Sequence, residues 1–260
     1  MLKQLYKLKM TVILKAAILG LMSFSLWGCG EEPAHEQVQS QAAVASESSA
    51  EAAPVAAVTE TVEAVVSTAG FLDYDMVLGD KNAPIELIEY ASLTCNHCAT
   101  FHTQILPRIK EKYVDTGKVK IVMRSFLLNG VDAQASVLTR CVPESRYFTF
   151  MDALFTRQTS WYNVGEYQRL SAIHDQQTAG QMFVQTVMTE VQKLARQVGM
   201  NKKKMDACFA NEAIGEYLFA VQQDGIDQYQ INATPTIIVN GKVAGNNYAA
   251  IEQAIEAELN

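Results

Sequence analysis

The motif Cys-Asn-His-Cys at residues 95–98 constrains the fold of this chain more than any other stretch. It lies between an apolar run at 85–91 and an amphipathic run that begins near Ala99. A strand that enters a helix through such a turn places the first sulfur at the helix N-terminus, where free backbone N–H groups and the helix dipole stabilise a thiolate. The spacing therefore predicts an attacking sulfur at Cys95 and a more covered, resolving sulfur at Cys98.

A zinc site is the main alternative for these two cysteines, because zinc knuckles also use Cys-x-x-Cys pairs. Such a site needs two further ligands, and neither a second Cys-x-x-Cys nor a paired-histidine motif follows in the sequence. We therefore interpret the motif as a redox pair. A second alternative is a soft-metal site in the reduced protein, formed by Cys98 with His97 and His102.

The five cysteines divide into one isolated residue, Cys29, and four that can form two pairs. Paired cysteines are typical of oxidising compartments outside the cytoplasm. For an exported protein we expect a structural disulfide between Cys141 and Cys208, the alternative being two reduced cysteines in the core.

The charge distribution excludes nucleic-acid binding as a function class. The formal net charge is −7, and residues 70–260 carry 17 basic and 21 acidic side chains. A nucleic-acid-binding domain needs a basic face, which this composition does not provide.

The first 28 residues have the composition of a secretory signal segment. Four lysines accompany an apolar run at 16–27, which is shorter than the ~20 apolar residues of a membrane-spanning helix. The segment ends Leu-Trp-Gly-Cys and resembles a bacterial lipobox, so we expect lipid on Cys29 and anchoring to a bacterial membrane. Trp27 is bulkier than the residue usual at its position. A signal cut elsewhere, or an uncleaved anchor, is the alternative.

Residues 29–69 are expected to form a disordered tether. They consist mainly of Ala, Glu, Ser, Gln and Val and include two prolines and no aromatic residue. Such a segment buries too little apolar surface to offset its ordering entropy. The alternative is a short helix near 59–66 that pairs with another subunit. The folded domain is expected to span residues 70–260.

Hydrophobic periodicity predicts the order of elements in this domain. Residues 85–92 and 118–126 are predicted to be strands, and the period of two places Glu89 on an otherwise apolar face directed toward the following helix. Pro107 lies inside that helix and should kink it. From approximately 129 to 230 the patterns are helical. A strand at 236–239, an Asn-Gly hairpin turn and an amphipathic helix close the domain.

This order of elements resembles a thioredoxin fold, and the helical block makes the chain similar to the DsbA family of bacterial thiol–disulfide oxidoreductases. The run from Gly79 to His102 and the Thr-Pro-Thr at 234–236 carry the resemblance, which covers roughly residues 74–260. It implies an α/β, thioredoxin-like fold with a helical insertion between the Cys-x-x-Cys half and the cis-proline half. It implies no cofactor.

The resemblance also implies roles for individual residues at the motif. Cys95 matches the family's nucleophile, Cys98 its resolving thiol, and His97 the histidine that stabilises the thiolate. Glu89 matches a buried acid, and a buried carboxyl can exchange protons with a covered thiol such as Cys98. Asn96 departs from the proline of DsbA, so the redox potential of that protein cannot be transferred to this chain.

A second segment of the site is implied at Thr234 and Pro235. Pro235 matches the cis-proline that faces the disulfide, although most X-Pro bonds in folded proteins are trans. Extended substrate is expected to pair its backbone with the segment at Thr234, in the manner of strand addition.

These features together predict a periplasmic, membrane-tethered thiol–disulfide oxidoreductase that introduces disulfides into extracytoplasmic proteins. Its implied partners are unfolded or reduced exported proteins and, for an oxidase, a DsbB-like membrane protein that reoxidises it. A disulfide isomerase or reductase with the same site is the nearest alternative. A metal-handling surface lipoprotein is the alternative from a different class.

Overall fold

The structure is a computed structural model that describes residues 69–260. The predicted signal segment (1–28), the lipidation site Cys29 and the tether up to residue 68 lie outside the described residues. Within 69–260, no helix has both the length and the apolar character that crossing a membrane would require.

A mixed sheet forms the centre of the described region. Its strands are β1 (Met76–Leu78), β2 (Ile85–Ala91), β3 (Val119–Ser125), β4 (Thr236–Val239) and β5 (Lys242–Ala244). They lie side by side in the order β1-β3-β2-β4-β5. Strands β2 and β3 are parallel, whereas the other neighbours pair antiparallel. A parallel pair needs a crossover connection, and here that connection carries the Cys-x-x-Cys motif.

The crossover is a continuous helical run, α1, that changes type along its length. It consists of α-helical Asn96–Thr100 and Leu106–Ile109 and π-helical Phe101–Ile105 and Lys110–Val114. Pro107 has no backbone N–H and cannot continue ordinary α-helical bonding. The π-helical stretch Phe101–Ile105 ends two residues before Pro107, and the kink expected at Pro107 stays a prediction.

The helical insertion lies between β3 and β4, as the resemblance implies. Its helices are α2 (Gly130–Thr139), α3 (Tyr147–Thr156), α4 (Gln158–Trp161), α5 (Val164–Ser171), α6 (Gln176–Gln197), α7 (Lys202–Phe209) and α8 (Glu212–Tyr229), and α9 (Tyr248–Leu259) follows the last strand. Polar side chains cap several N-termini: Asn129, for example, accepts the backbone N–H of Asp132 at the start of α2.

A disulfide within the helical insertion and a buried arginine that contacts the segment before β1 stabilise the insertion. Cys141, just after α2, and Cys208 in α7 are joined in a disulfide across a separation of 67 residues. The neighbouring Arg140 is fully buried, and its guanidinium donates to the Tyr74 carbonyl at 3.1 Å. The insertion is therefore held both within its own helices and against the segment that leads into β1.

The two faces of β2 enter different parts of the core. Ile85, Leu87 and Ala91 belong to the larger apolar cluster, which also contains both motif cysteines, while Ile88 and Tyr90 belong to a smaller cluster on the opposite face. Side chains along β2 therefore alternate between the two faces of the sheet, as predicted. The larger cluster is the one that includes residues of α1.

Candidate active site

Cys95 and Cys98 occupy different environments at the start of α1. Cys95 is the N-cap residue, with extended backbone (φ −85°, ψ 122°), and 9% of it is exposed. Cys98 lies in the first turn of α1 and is fully buried. Both are free thiols. The structure thus contains one sulfur that retains slight exposure at the helix N-terminus and one that is fully covered, as the motif predicts.

The loop before Cys95 is held by two buried side chains from the helical insertion. Asp132 accepts the backbone N–H groups of Leu93 at 2.9 Å and Leu128 at 3.0 Å. The Gln158 amide donates to the carbonyls of Leu93 and Cys95, both at 2.8 Å. These contacts fix the backbone that presents the first sulfur. Sequence reasoning missed both residues, because they lie far from the motif and match no pattern.

The two sulfurs have opposed acidities. The pKa of Cys95 is lowered to about 5, first by the hydrogen bond from the Cys98 thiol, then by Thr234 and by the backbone N–H groups of Cys98 and His97. Those N–H groups approach the sulfur without closing a capping hydrogen bond. The pKa of Cys98 is strongly raised, by donation to Cys95, by burial and by the negative charge of Glu89. Near neutral pH Cys95 is therefore a thiolate and the fully buried Cys98 a thiol.

The segment at Thr234 and Pro235 closes the site from the other half of the chain. The bond between these residues is cis, as the resemblance implies. The Thr234 carbonyl oxygen lies 3.3 Å from the Cys95 sulfur and accepts its proton in a hydrogen bond only when Cys95 is a thiol. Directly after this segment, β4 pairs with β2, with Thr236 opposite Tyr90. The sheet register thus brings together residues that are 139 positions apart in the sequence.

Within residues 69–260 the His97 imidazole makes no hydrogen bond to the Cys95 sulfur. The imidazole is exposed, and the contribution of His97 to the low pKa of Cys95 comes from the backbone N–H. Donation from the imidazole to the thiolate remains a prediction.

Glu89 is paired with His102, a residue that the sequence suggested only as a possible ligand in the soft-metal alternative. The Glu89 carboxylate is fully buried, and its Oε2 lies 2.8 Å from Nε2 of His102. The His102 ring is also buried and stacks on Phe155, with ring centroids 3.8 Å apart. His102 therefore combines a packing contact with a polar contact, and the spacing along α1 did not predict the polar one.

The soft-metal alternative requires a cluster of ligands around Cys98. Within residues 69–260, no three side chains of His, Cys, Asp or Glu lie close enough together to hold a metal ion. The imidazole of His102 instead faces Glu89.

A direct prediction follows for the reactivity of Cys95. At pH 7 a thiol with a pKa of about 5 is almost entirely thiolate, whereas an ordinary cysteine with a pKa of about 8.5 is ionised to only a few per cent, so the thiolate fraction is about 30-fold higher. Thiolate absorbance against pH should show one transition near pH 5 that is absent from a Cys95→Ser variant. A transition near pH 8.5 would contradict the assigned environment.

Comparison with known sequences identifies the family. The family profile described as thioredoxin matches residues 72–257. A relative in Rickettsia bellii, named "Putative protein-disulfide oxidoreductase", is 32% identical over 193 residues, which are 72% of this chain and 66% of the relative. Disulfide bond formation protein D of Bacillus subtilis is 26% identical over 195 residues, 70% of this chain and 76% of the relative. The chain thus spans slightly less than two thirds of the Rickettsia protein.

Solved structures agree with this grouping. A protein-disulfide isomerase from Novosphingobium aromaticivorans superposes with a TM-score of 0.59 at 27% identity, covering 72% of this chain and 97% of that one. Wolbachia pipientis alpha-DsbA1 superposes with a TM-score of 0.55 at 28% identity, covering 70% of this chain and 89% of that one. The chain therefore belongs to the thioredoxin family, and its described region has the DsbA-like fold with a helical insertion.

Proposed function

We propose that this chain is an exported thiol–disulfide oxidoreductase that introduces disulfides into extracytoplasmic proteins. The opposed acidity of Cys95 and Cys98 carries the proposal, because it supplies one reactive thiolate and one protected thiol three positions apart in the sequence. Thiolates are the attacking species in disulfide exchange, and a thiolate of low pKa also leaves readily. The names of the Rickettsia and Bacillus relatives support the same reaction class.

In the proposed cycle, the oxidised protein holds a Cys95–Cys98 disulfide. A substrate thiolate attacks the Cys95 sulfur, a mixed disulfide forms, and the electron pair of the broken bond leaves on Cys98, which takes up a proton. A second substrate thiolate then attacks the substrate sulfur of the mixed disulfide and releases Cys95 as a thiolate. The substrate has lost two electrons, and the reduced protein returns them to a DsbB-like membrane partner.

The Thr234 segment is proposed to bind substrate backbone beside the reacting sulfur. Its carbonyl lies 3.3 Å from the Cys95 sulfur, and the segment continues into β4. An extended chain that adds along this segment would bring its own cysteine to Cys95 through backbone contacts alone. A broad range of unfolded or reduced exported proteins would then be accepted, because backbone recognition does not depend on side chains.

We predict a strongly oxidising active-site pair with a distinctive pH dependence. Stabilising the Cys95 thiolate favours the reduced form, so the potential should lie on the oxidising side of about −200 mV. Above pH 5 the pair takes up one proton with two electrons, so its reduction potential should fall by about 30 mV per pH unit. As the pH falls through about 5, Cys95 also binds a proton and that stabilisation is lost, so the slope should approach about 60 mV. Glutathione titrations at several pH values measure the reduction potential of the Cys95–Cys98 pair. A change near 60 mV per pH unit at neutral pH would contradict the prediction.

The alternative is an isomerase or reductase with the same site. The name of the Novosphingobium relative, a protein-disulfide isomerase, favours this candidate. Acid trapping of cells, followed by alkylation and mass spectrometry of Cys95 and Cys98, separates the two functions. An oxidised resting pair supports the oxidase, whereas a reduced resting pair supports the isomerase or reductase.

We also predict that the mature protein begins at a lipidated Cys29 and is held at the periplasmic side of a bacterial membrane. The lipobox-like Leu-Trp-Gly-Cys sequence supports this. The native protein should partition into detergent, and its intact mass should include acyl chains. A Cys29→Ser variant is the matched control and should stay in the aqueous phase. A free thiol at Cys29, or cleavage at another residue, would mean that Trp27 prevents processing.

A further inference from the structure

The Glu89–His102 pair uses only part of its hydrogen-bonding capacity. Glu89 Oε2 meets His102 Nε2 at 2.8 Å, with the two side chains 0% and 4% exposed. Glu89 Oε1 is buried without a hydrogen-bond partner among residues 69–260. A buried carboxylate oxygen without a donor is costly and rare, so it calls for a functional reason. The pair lies where the charge of Glu89 acts on Cys98.

His102 also lines a groove formed by residues of the sheet and of two helices. The groove has a volume of about 240 Å³ and is lined by side chains of α1, β1, β3 and α3: His102, Leu78, Met123, Leu106, Met151 and Asp152 among them. The second ring nitrogen of His102, Nδ1, makes no hydrogen bond within the described residues. The charged side chains that line the groove are Lys110 of α1 and Asp152 of α3. One edge of the imidazole thus meets the buried carboxylate, and the ring itself borders the groove.

We propose that His102 relays the proton exchanged by Cys98 between Glu89 and this groove. The inference rests on the proposed function, in which Cys98 alternates between a thiol and a disulfide sulfur. Glu89 is the group that acts on the sulfur, and His102 acts through Glu89. A π-helical stretch carries His102, and such stretches are frequent at functional sites.

Cys98 loses a proton when it resolves a mixed disulfide. The bond between Cys95 and the substrate sulfur breaks, the Cys95–Cys98 bond forms, and the electron pair leaves on the substrate as a thiolate. The Cys98 proton passes to Glu89, and the pair holds it as carboxylate and imidazolium. His102 then releases a proton to water in the groove. The reverse sequence protonates Cys98 when a substrate opens the disulfide.

A two-step reaction with the aryl disulfide dithiobis(nitrobenzoate) tests this inference. Cys95 attacks first and releases one coloured thiolate, and Cys98 then resolves the mixed disulfide and releases a second. His102→Ala should leave the rate of the first phase unchanged and slow the second phase about tenfold or more. The effect should stay below the roughly 10²-fold loss typical of removing a direct acid–base group, because His102 acts through Glu89. A His174→Ala variant, at an exposed histidine, is the matched control and should retain both phases.

Chemical rescue separates proton relay from packing. Imidazole added to His102→Ala should restore the second phase, while 1,2,4-triazole, of the same shape but much less basic, should not. Equal rescue by both compounds, no rescue by imidazole, or an unchanged second phase would overturn the inference. If His102→Ala does not fold, His102→Gln, which keeps a donor toward Glu89 but cannot carry the proton, should slow the second phase alone. Loss of the first phase in the wild type would instead refute the proposed function.

Discussion

A Cys98→Ser variant is expected to form a stable mixed disulfide through Cys95 and to lose catalytic turnover entirely. The serine hydroxyl keeps a donor near the Cys95 sulfur, so the pKa of Cys95 should stay low and the first attack should remain fast. The resulting mixed disulfide persists because no second sulfur lies beneath Cys95 to break it. Incubation with a disulfide-containing protein, followed by non-reducing electrophoresis and mass spectrometry, should show one partner bound per chain.

The reciprocal Cys95→Ser variant is the matched control for this experiment. It retains Cys98, but that sulfur is fully buried and its pKa is strongly raised. It should therefore form no mixed disulfide under the same conditions. Equal trapping by the two variants would mean that the division into an attacking and a resolving sulfur is wrong.

Replacing both Cys141 and Cys208 with alanine is expected to lower the free energy of unfolding by about 4 kcal/mol. The disulfide closes a loop of 67 residues. In the chain-entropy model, removing it raises the entropy of the unfolded chain and stabilises the unfolded state by this amount. Because the unfolded chain becomes more extended, the dependence of this free energy on urea should become steeper. Urea unfolding of the two proteins, each with Cys95 and Cys98 reduced, measures both effects.

A Cys95→Ser/Cys98→Ser double variant is the matched control for stability. In the reduced protein Cys95 and Cys98 are free thiols, so this variant removes no disulfide and should change the free energy of unfolding far less. A decrease below about 1 kcal/mol on removing Cys141 and Cys208 would show that the disulfide does not constrain the unfolded chain as the entropy model requires.

The motif and the strand before it contained enough local information to predict the centre of the site. The Cys-x-x-Cys spacing predicted one sulfur at the helix N-terminus and one beneath it, and the period of two predicted the face on which Glu89 lies. Both predictions depend on local geometry, because a strand and a helix each place side chains at a regular period along the sequence. The positions of these residues in the structure follow that geometry.

The supporting residues could not be predicted because their partners are distant in sequence. Asp132 and Gln158 meet the motif loop only after the helical insertion has packed against it. The contact of His102 with Glu89 depends on how α1 docks on β2 and on its π-helical stretch, which changes the spacing of residues around the helix. Strand β1 is only three residues long and was missed for lack of a repeating pattern.

The most direct test of the central claim is a single turnover with a reduced, unfolded protein. The oxidised chain is mixed with an equal amount of that substrate, quenched with acid and alkylated, and each cysteine is assigned by mass. We predict that two substrate thiols are oxidised to a disulfide while the Cys95–Cys98 disulfide is reduced to two thiols. Cys141 and Cys208 should stay linked. Absence of transfer, or reduction of Cys141 and Cys208 in place of Cys95 and Cys98, would contradict the claim.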